Sequence, residues 1–386
     1  MKNNKHIPYG KQYIDESDLK AVSDVLQSDY LTTGPQVTGF EDKLCQVTGA
    51  THAVAVSNGT AALHAACFAA GIKAGDEVIT TPITFAASAN CVLYCGGMPV
   101  FADIDPETWN IDPNEIRKKI TAKTKAVIAV DFTGQVVAID EIRAICDEHQ
   151  LIFIEDAAHS IGSKYKNIPV GNLADLTTFS FHPVKTITCG EGGAVLTNDE
   201  ALYKKVALFR SHAITRDRNE VTQNLYPGYN EQVALGYNYR LTDIQAALGS
   251  SQLSKLDQFV IRRKEIVKMY NDAFAEMPEI IVQKEINESD SAKHLYVIRL
   301  NSKKTTLKRS EMMEDLGSYN IGTQVHYMPV YYHPYYQKLG YQKGICPIAE
   351  ALFEEIISIP LYYTMTDDDA DYVIETIRQI LKNAGK

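Results

Sequence analysis

From Ala50 to Asp156 the chain repeats one pattern: a short, uninterrupted apolar run, often followed by a helix-length stretch. The runs cover 52–57, 77–80, 99–103, 126–130 and 151–154; helices are expected at 61–70, 86–94 and 139–149. Runs without period-two alternation are strands buried on both faces, which is the condition of a parallel sheet. Strand–helix repeats then stack as layers with right-handed crossovers. The pattern therefore predicts an α/β domain with a mostly parallel sheet flanked by helices. Residues 177–181 and 194–197 read as an adjoining strand pair around an intervening loop. Residues 1–15 look irregular, broken by Pro8 and Gly10. A helix opens at Asp15-Glu16-Ser17-Asp18, and a second is expected around 36–48. One long helix is predicted over about 250–275, from Leu253, Leu256, Val260, Val267, Tyr270 and Phe274. After Pro278 the character changes: 294–300 alternates like a half-buried strand, and helices are expected near 307–317 and 367–382. This division predicts a large domain over 1–255 and a smaller C-terminal α/β domain over 256–386.

The 386 residues, 45% hydrophobic and 22% charged, suffice for a full core. A net charge of −10 argues against a general nucleic-acid surface, which needs clustered positive charge. No run approaches the roughly 18 apolar residues of a membrane span, and residues 1–6 lack an apolar signal core. The seven cysteines are odd in number and scattered. Cys91 and Cys95 stand four apart without a second Cys or His pair, so no metal set is expected. Free buried thiols in a reducing cytoplasm are the expectation.

Four positions carry the chemistry. Ser57-Asn58-Gly59-Thr60-Ala61-Ala62 lies between a strand and a helix, where small residues and first-turn N–H groups favour an anion. Taken alone, it reads first as an ordinary helix cap. Asp156 closes the run 151–155 at a strand's carboxyl end, where open α/β sheets bind ligands. His159, three residues on, fits either a ligand contact or a structural role. Ser180 ends the run 177–181. Lys185 follows it, just before Gly190-Glu191-Gly192-Gly193, and burial would lower its pKa and free its amine for attack on a carbonyl. An amine, a carboxylate and a phosphate cradle in this order are what pyridoxal 5′-phosphate (PLP) requires: the amine bonds its aldehyde, and the carboxylate keeps its ring nitrogen protonated.

The joint order of Asn58-Gly59-Thr60-Ala61-Ala62-Leu63, Pro82-Ile83-Thr84-Phe85, Glu155-Asp156-Ala157-Ala158-His159, Ser180–Lys185, Gly190–Gly193 and Gly236–Asp243 resembles the fold-type-I PLP enzymes of the DegT/DnrJ/StrS sugar aminotransferase family. By that resemblance Lys185 is the catalytic lysine that links to the cofactor, Phe85 stacks on its ring and Asp156 pairs with the ring nitrogen. His159 is the neighbour of that pair, and Gly59, Thr60 and Ser180 sit at the phosphate. Asn238 matches a residue that reaches the phosphate across a homodimer interface, so shared active sites are implied. The opening Ile7–Gly10, the stretch Ser28–Gly34 and the stretch Gly322–Tyr331 resemble the pseudaminic acid branch of the family. That likeness implies a UDP-linked 4-keto-6-deoxy-N-acetylhexosamine as substrate and L-glutamate as donor. It lines the sugar-nucleotide pocket with Tyr9, Asp29, Tyr30, Leu31, Thr32, Gly59, Gln324, Val325, His326 and Tyr327. His326 and Tyr327 fit a core position as well, and residues 333–336 read as aromatic packing. Other nucleotide-linked 3- or 4-keto-sugars, or a PLP-binding regulatory protein without turnover, stay open. The dehydratases on this fold carry His where this chain has Lys185. Arg240 is a candidate for a donor carboxylate.

Overall fold

The five apolar runs are strands in the computed structural model, which describes residues 5–217, 219, 221–223 and 226–384. They are β1 (His52–Val56), β2 (Glu77–Thr80), β3 (Met98–Phe101), β4 (Thr124–Val130) and β5 (Ile152–Asp156). With β6 (Leu176–Ser180) and β7 (Gly193–Thr197) they form a seven-stranded sheet in the order β1-β7-β6-β5-β4-β2-β3. The run β6-β5-β4-β2-β3 is parallel; β7 is antiparallel to both β6 and β1. The expected strand pair around the lysine loop is thus β6–β7.

Two helical layers cover the sheet. α1 (Glu16–Leu26) starts from an Asp15 capping box, and α2 (Pro35–Thr48) follows it. α3 (Gly59–Ala69) is apolar almost all round, as burial between the sheet and its neighbours α4 (Ala87–Tyr94) and α7 (Glu200–Arg210) requires. α5 (Pro113–Lys119) and α6 (Ile139–His149) complete the crossovers, and α7 follows the sheet's last strand. Odd-numbered residues of β4 and β5, such as Ala129 and Phe153, face α2 and α6; even-numbered ones, such as Ile128 and Ile154, face α3 and α4.

The single helix expected over 250–275 is two, α8 (Asp243–Leu253) and α9 (Leu256–Phe274). The break falls at Ser254-Lys255, where Lys255 Nζ reaches Asp15 at 2.9 Å and Asp18 at 2.6 Å and ties the turn to α1. Leu253 and Leu256 keep a helical three-residue step across the break, so the apolar pattern hides it. The start of α9 packs in the core of the first sheet through Leu256, Phe259 and Val260. Its end packs through Ile266, Tyr270 and Phe274 in a second core. That second core is built on the antiparallel β8 (Ile280–Val282), β9 (Tyr296–Leu300) and β10 (Ile356–Ile359), with α10 (Arg309–Ser318) and α11 (Asp367–Ala384). The strand expected to be half-buried is nearly all buried. Tyr296, Ile298 and Leu300 face the second core, while Leu295 and Val297 pack with Phe101 at the end of β3 and with Trp109 and Phe132 from the connections that follow β3 and β4. The N-terminal segment, described from residue 5, pairs Ile7 with Ile321 of this second unit.

Candidate active site

At the carboxyl ends of the parallel strands lies a cleft of about 1040 Å³, large for a small-molecule site. Its floor is set by backbone sterics. α3 begins at Gly59, where Asn58 caps the helix by accepting the Ala61 N–H at 2.8 Å. A Cβ on Gly59 would stand 2.8 Å from Ser180 Cβ, so only glycine lets this turn lie against the end of β6. A Cβ on Gly193 would stand 2.5 Å from the Asn58 oxygen. The glycines after Lys185 would suit close approach of backbone to a ligand. Gly193 instead makes room for the 58–59 turn itself, which β7 supports from below. The first-turn N–H groups of α3 precede any helix carbonyl partner, so the cradle is open to an anion.

Asp156, the last residue of β5, is buried. Its Oδ2 accepts from Ser88 Oγ at 2.6 Å and its Oδ1 from the Ala158 N–H at 3.2 Å; Ser88 is itself 2.7 Å from Thr84 Oγ1. Burial raises the Asp156 carboxyl above its ordinary range, opposed by the Ser88 and Ala158 hydrogen bonds and by Lys185. Lys185 is partly exposed along its length, but burial of its amine lowers its pKa to about 8, against the pull of Asp156. His159 Nε2 lies 3.1 Å from Tyr327 Oη, while its buried Nδ1 has no hydrogen-bond partner among the described residues. Desolvation holds His159 well below the imidazole range, so the ring is neutral. His326 Nδ1 lies 2.7 Å from Ser358 Oγ, and burial lowers its pKa to about 4. An amine of lowered pKa, a buried carboxylate with its own donors, an unpaired imidazole nitrogen and an open helix N-terminus fit PLP.

Of the residues expected at the site, the cleft brings together Tyr9, Gly59, Thr60, Phe85, Asp156, His159, Ser180, Lys185, Gln324, Val325, His326 and Tyr327. His326 and Tyr327 are half-buried in its wall, with Tyr327 also packed against the core around Phe132. Asn238 and the stretch Asp29, Tyr30, Leu31 and Thr32 do not line it within this chain; all five are exposed. Arg240 is also outside the lining and pairs with Val56 at the end of β1. His333, expected in packing, lines the cleft, whereas Tyr331 and Tyr336 do pack, against Phe101. Ser88 had no signal in the sequence, because a serine in the first turn of α4 reads as a cap. Glu191 and Tyr239 also face the cleft, each beside a residue singled out for another reason.

A family model described as the DegT/DnrJ/EryC1/StrS aminotransferase family matches residues 12–378. The spore coat polysaccharide biosynthesis protein SpsC of Bacillus subtilis is 42% identical over 100% of this chain and 99% of its own length. The UDP-4-amino-4,6-dideoxy-N-acetyl-beta-L-altrosamine transaminase of Campylobacter jejuni is 38% identical over 98% of this chain and 99% of its own. The solved PLP form of Spr1654 from Streptococcus pneumoniae matches with a TM-score of 0.91 at 30% identity, covering 98% of this chain and 100% of that one.

Proposed function

This chain belongs to the DegT/DnrJ/EryC1/StrS aminotransferase family and is a PLP-dependent sugar aminotransferase of fold type I, and we propose that it transfers an amino group from L-glutamate to carbon 4 of a UDP-linked 4-keto-6-deoxy-N-acetylhexosamine. The observation that carries the mechanism is Lys185, an amine whose pKa is lowered to about 8 in a cleft it shares with Asp156. Bound PLP supplies the electron sink for the carbanion that each half-reaction generates.

The protein's part is positioning and proton movement. Thr60, Ser180 and the N–H groups at the start of α3 take the phosphate, with Gly59 keeping the turn close. Phe85 offers its ring face, and Asp156, held by Ser88, sets its charge toward the ring nitrogen. His159, neutral and held by Tyr327 through Nε2, stands beside Asp156 at the cleft. Lys185 Nζ takes the proton from the glutamate α-carbon and, in the second half-reaction, gives one to the sugar carbon that returns to the amine. Tyr9 and Gln324 to Tyr327 form the wall assigned to the sugar nucleotide. Asp29 to Thr32 and Asn238, exposed in one copy, are assigned to the cleft of a second copy in a homodimer. Free, mostly buried thiols favour the reducing cytoplasm as its place of work.

Incubation with glutamate and a panel of UDP- and dTDP-keto-sugars, with products read by mass and NMR, tests this. A new amine at carbon 4 of the UDP-keto-hexosamine, with 2-oxoglutarate, is expected; no aminated sugar from any member would refute the reading. A second reading, amination of a different nucleotide-linked keto-sugar, is favoured by the higher identity to SpsC. A product aminated only on another sugar or at carbon 3 would select it.

A further inference from the structure

Three carboxyl groups crowd the carboxyl end of the central sheet, and one of them faces the cleft. Because successive strand residues alternate faces, Asp156 points toward α4 and Ser88 while Glu155 points the other way, into the core of Ala129, Phe153 and Phe179. Register places Glu155 beside Ala129 of β4 and Thr177 of β6. Asp131, two residues beyond Ala129, meets it there. Both side chains are completely buried.

Their donors are unequal. Asp131 accepts from Ser160 Oγ at 2.5 Å and from the Val137 N–H at 3.0 Å. Glu155 Oε2 accepts from Thr177 Oγ1 at 2.9 Å, but its Oε1 has no donor among the described residues. The two are diagonal neighbours on one face of adjacent chain segments, and each carboxyl bears on the other's titration. Two carboxylates are acceptors only, so neighbours placed this way can bond to each other only through a proton.

We propose that Glu155 is protonated in the working enzyme and donates its O–H to Asp131, so that the buried pair carries one negative charge and serves as a positioning element behind Asp156. Ser160, Val137 and Thr177 face the pair with neutral donors, and the charged group across the sheet is the Asp156 carboxylate. Lys185 bears on Asp156. Two ionised groups so close and so buried would repel strongly, and one retained proton removes that cost. Burial drives both carboxyls upward, in agreement with the geometry. With Glu155 neutral, a single anion backs the strand, and Asp156 keeps the negative charge that a protonated ring nitrogen needs. The shared proton rests on the register, the complete burial of both groups and the donorless Glu155 Oε1; its bearing on turnover rests on the aminotransferase reading.

Infrared spectra of the cofactor-free protein near pH 8, about four units above ordinary carboxyl pKa values, decide the matter. A deuterium-sensitive carbonyl stretch of a protonated carboxylic acid is expected, lost in Glu155→Gln and shifted but kept in Asp131→Asn. Absence of the band in the unsubstituted protein, or its survival in Glu155→Gln, overturns the proposal. In the PLP-loaded enzyme Glu155→Gln, which supplies an amide N–H in place of the O–H, should stay within about threefold of parental kcat with an unmoved pH profile. Glu155→Ala should lose at least about tenfold. A displaced pH profile in Glu155→Gln also overturns it. If the band is present and no keto-sugar is aminated, the proton stands and the assigned reaction falls.

Discussion

Lys185 works against the fold that holds it. Its amine has a pKa of about 8 here and an ordinary one of 10.5. Below about pH 8 both the folded and the unfolded chain carry the charge, and the folded state bears the full desolvation cost, at most about 3 kcal/mol. Between these two values the unfolded chain binds the extra proton, so stability rises with pH and the cost disappears. Cofactor-free Lys185→Met should therefore melt a few degrees above the parent near pH 7, with the gap narrowing near pH 9, as scanning calorimetry would record. An equal gap at both pH values would mean that the amine is not held in its neutral form by burial. The same variant should lose at least about 10²–10⁴-fold in turnover, the usual worth of a positioned acid–base group. Ser88 acts through Asp156: its 2.6 Å hydrogen bond favours the ionised carboxylate. Ser88→Ala should cost about tenfold in kcat, since hydrogen bonds to charged groups contribute about 1.5–3 kcal/mol. KM for glutamate should hardly move, and Ser88→Thr should restore part of the loss. A change confined to KM would remove Ser88 from this role.

At the scale of elements, the phosphate cradle depends on β7 as much as on α3. Gly193→Ala would press a methyl group onto the Asn58–Gly59 backbone, 2.5 Å from the Asn58 oxygen and 2.8 Å from the Gly59 nitrogen. Backbone cannot rotate aside as a side chain does, so the first turn of α3 must shift. A loss of about tenfold or more in PLP affinity is expected, in proportion to a misplacement of this size. Equilibrium titration of cofactor absorbance measures it, and far-ultraviolet circular dichroism checks that the helices persist. Unchanged affinity would show that the cradle tolerates the shift. This dependence also marks where the sequence stopped being legible. The parallel strands were readable because burial on both faces leaves continuous apolar text, and Asp156 and Lys185 because each ends or follows such a run. The partnership of Gly193 with Asn58 lies 135 positions apart and leaves no periodic trace. The break between α8 and α9 was invisible for a related reason: ion pairs to Asp15 and Asp18 make it, while the apolar spacing runs on. Glu155 beside Asp131 reads as one more polar residue at a strand end, and only the alternation of faces and the register of β4 with β5 reveals that they meet.

The whole molecule leaves its cleft half furnished. PLP, a nucleotide sugar and glutamate bring phosphates and carboxylates, yet Lys185 is the one Lys or Arg among the described residues lining it. Phe85 is 65% exposed, unusual for an aromatic ring inside a cleft. The site residues that fail to line the cleft lie together elsewhere. Thr32 pairs with Thr242, Asn238 with Ser211 and Arg240 with Val56, which gathers the 29–32 loop and the 238–242 segment beside β1. Tyr30, Leu31, Val233 and Leu235 expose apolar side chains in or near these segments, Leu235 at 73%. Apolar surface next to unplaced polar site residues is what a self-complementary twofold contact requires. Each copy would then lend Asn238 and the 29–32 loop to the other's cleft, along with cations this chain's own cleft lacks. On this arrangement Lys185→Ala should fail in its own cleft and Asn238→Ala in its partner's. Mixed and allowed to exchange subunits, the two should recover part of the activity that neither has alone, because one cleft of each mixed dimer then holds both native residues. Light scattering should give twice the chain mass throughout. If the mixture stays inactive while heterodimers form, or if the active protein runs as a monomer, each cleft is complete by itself, and Asn238 has no part in the chemistry.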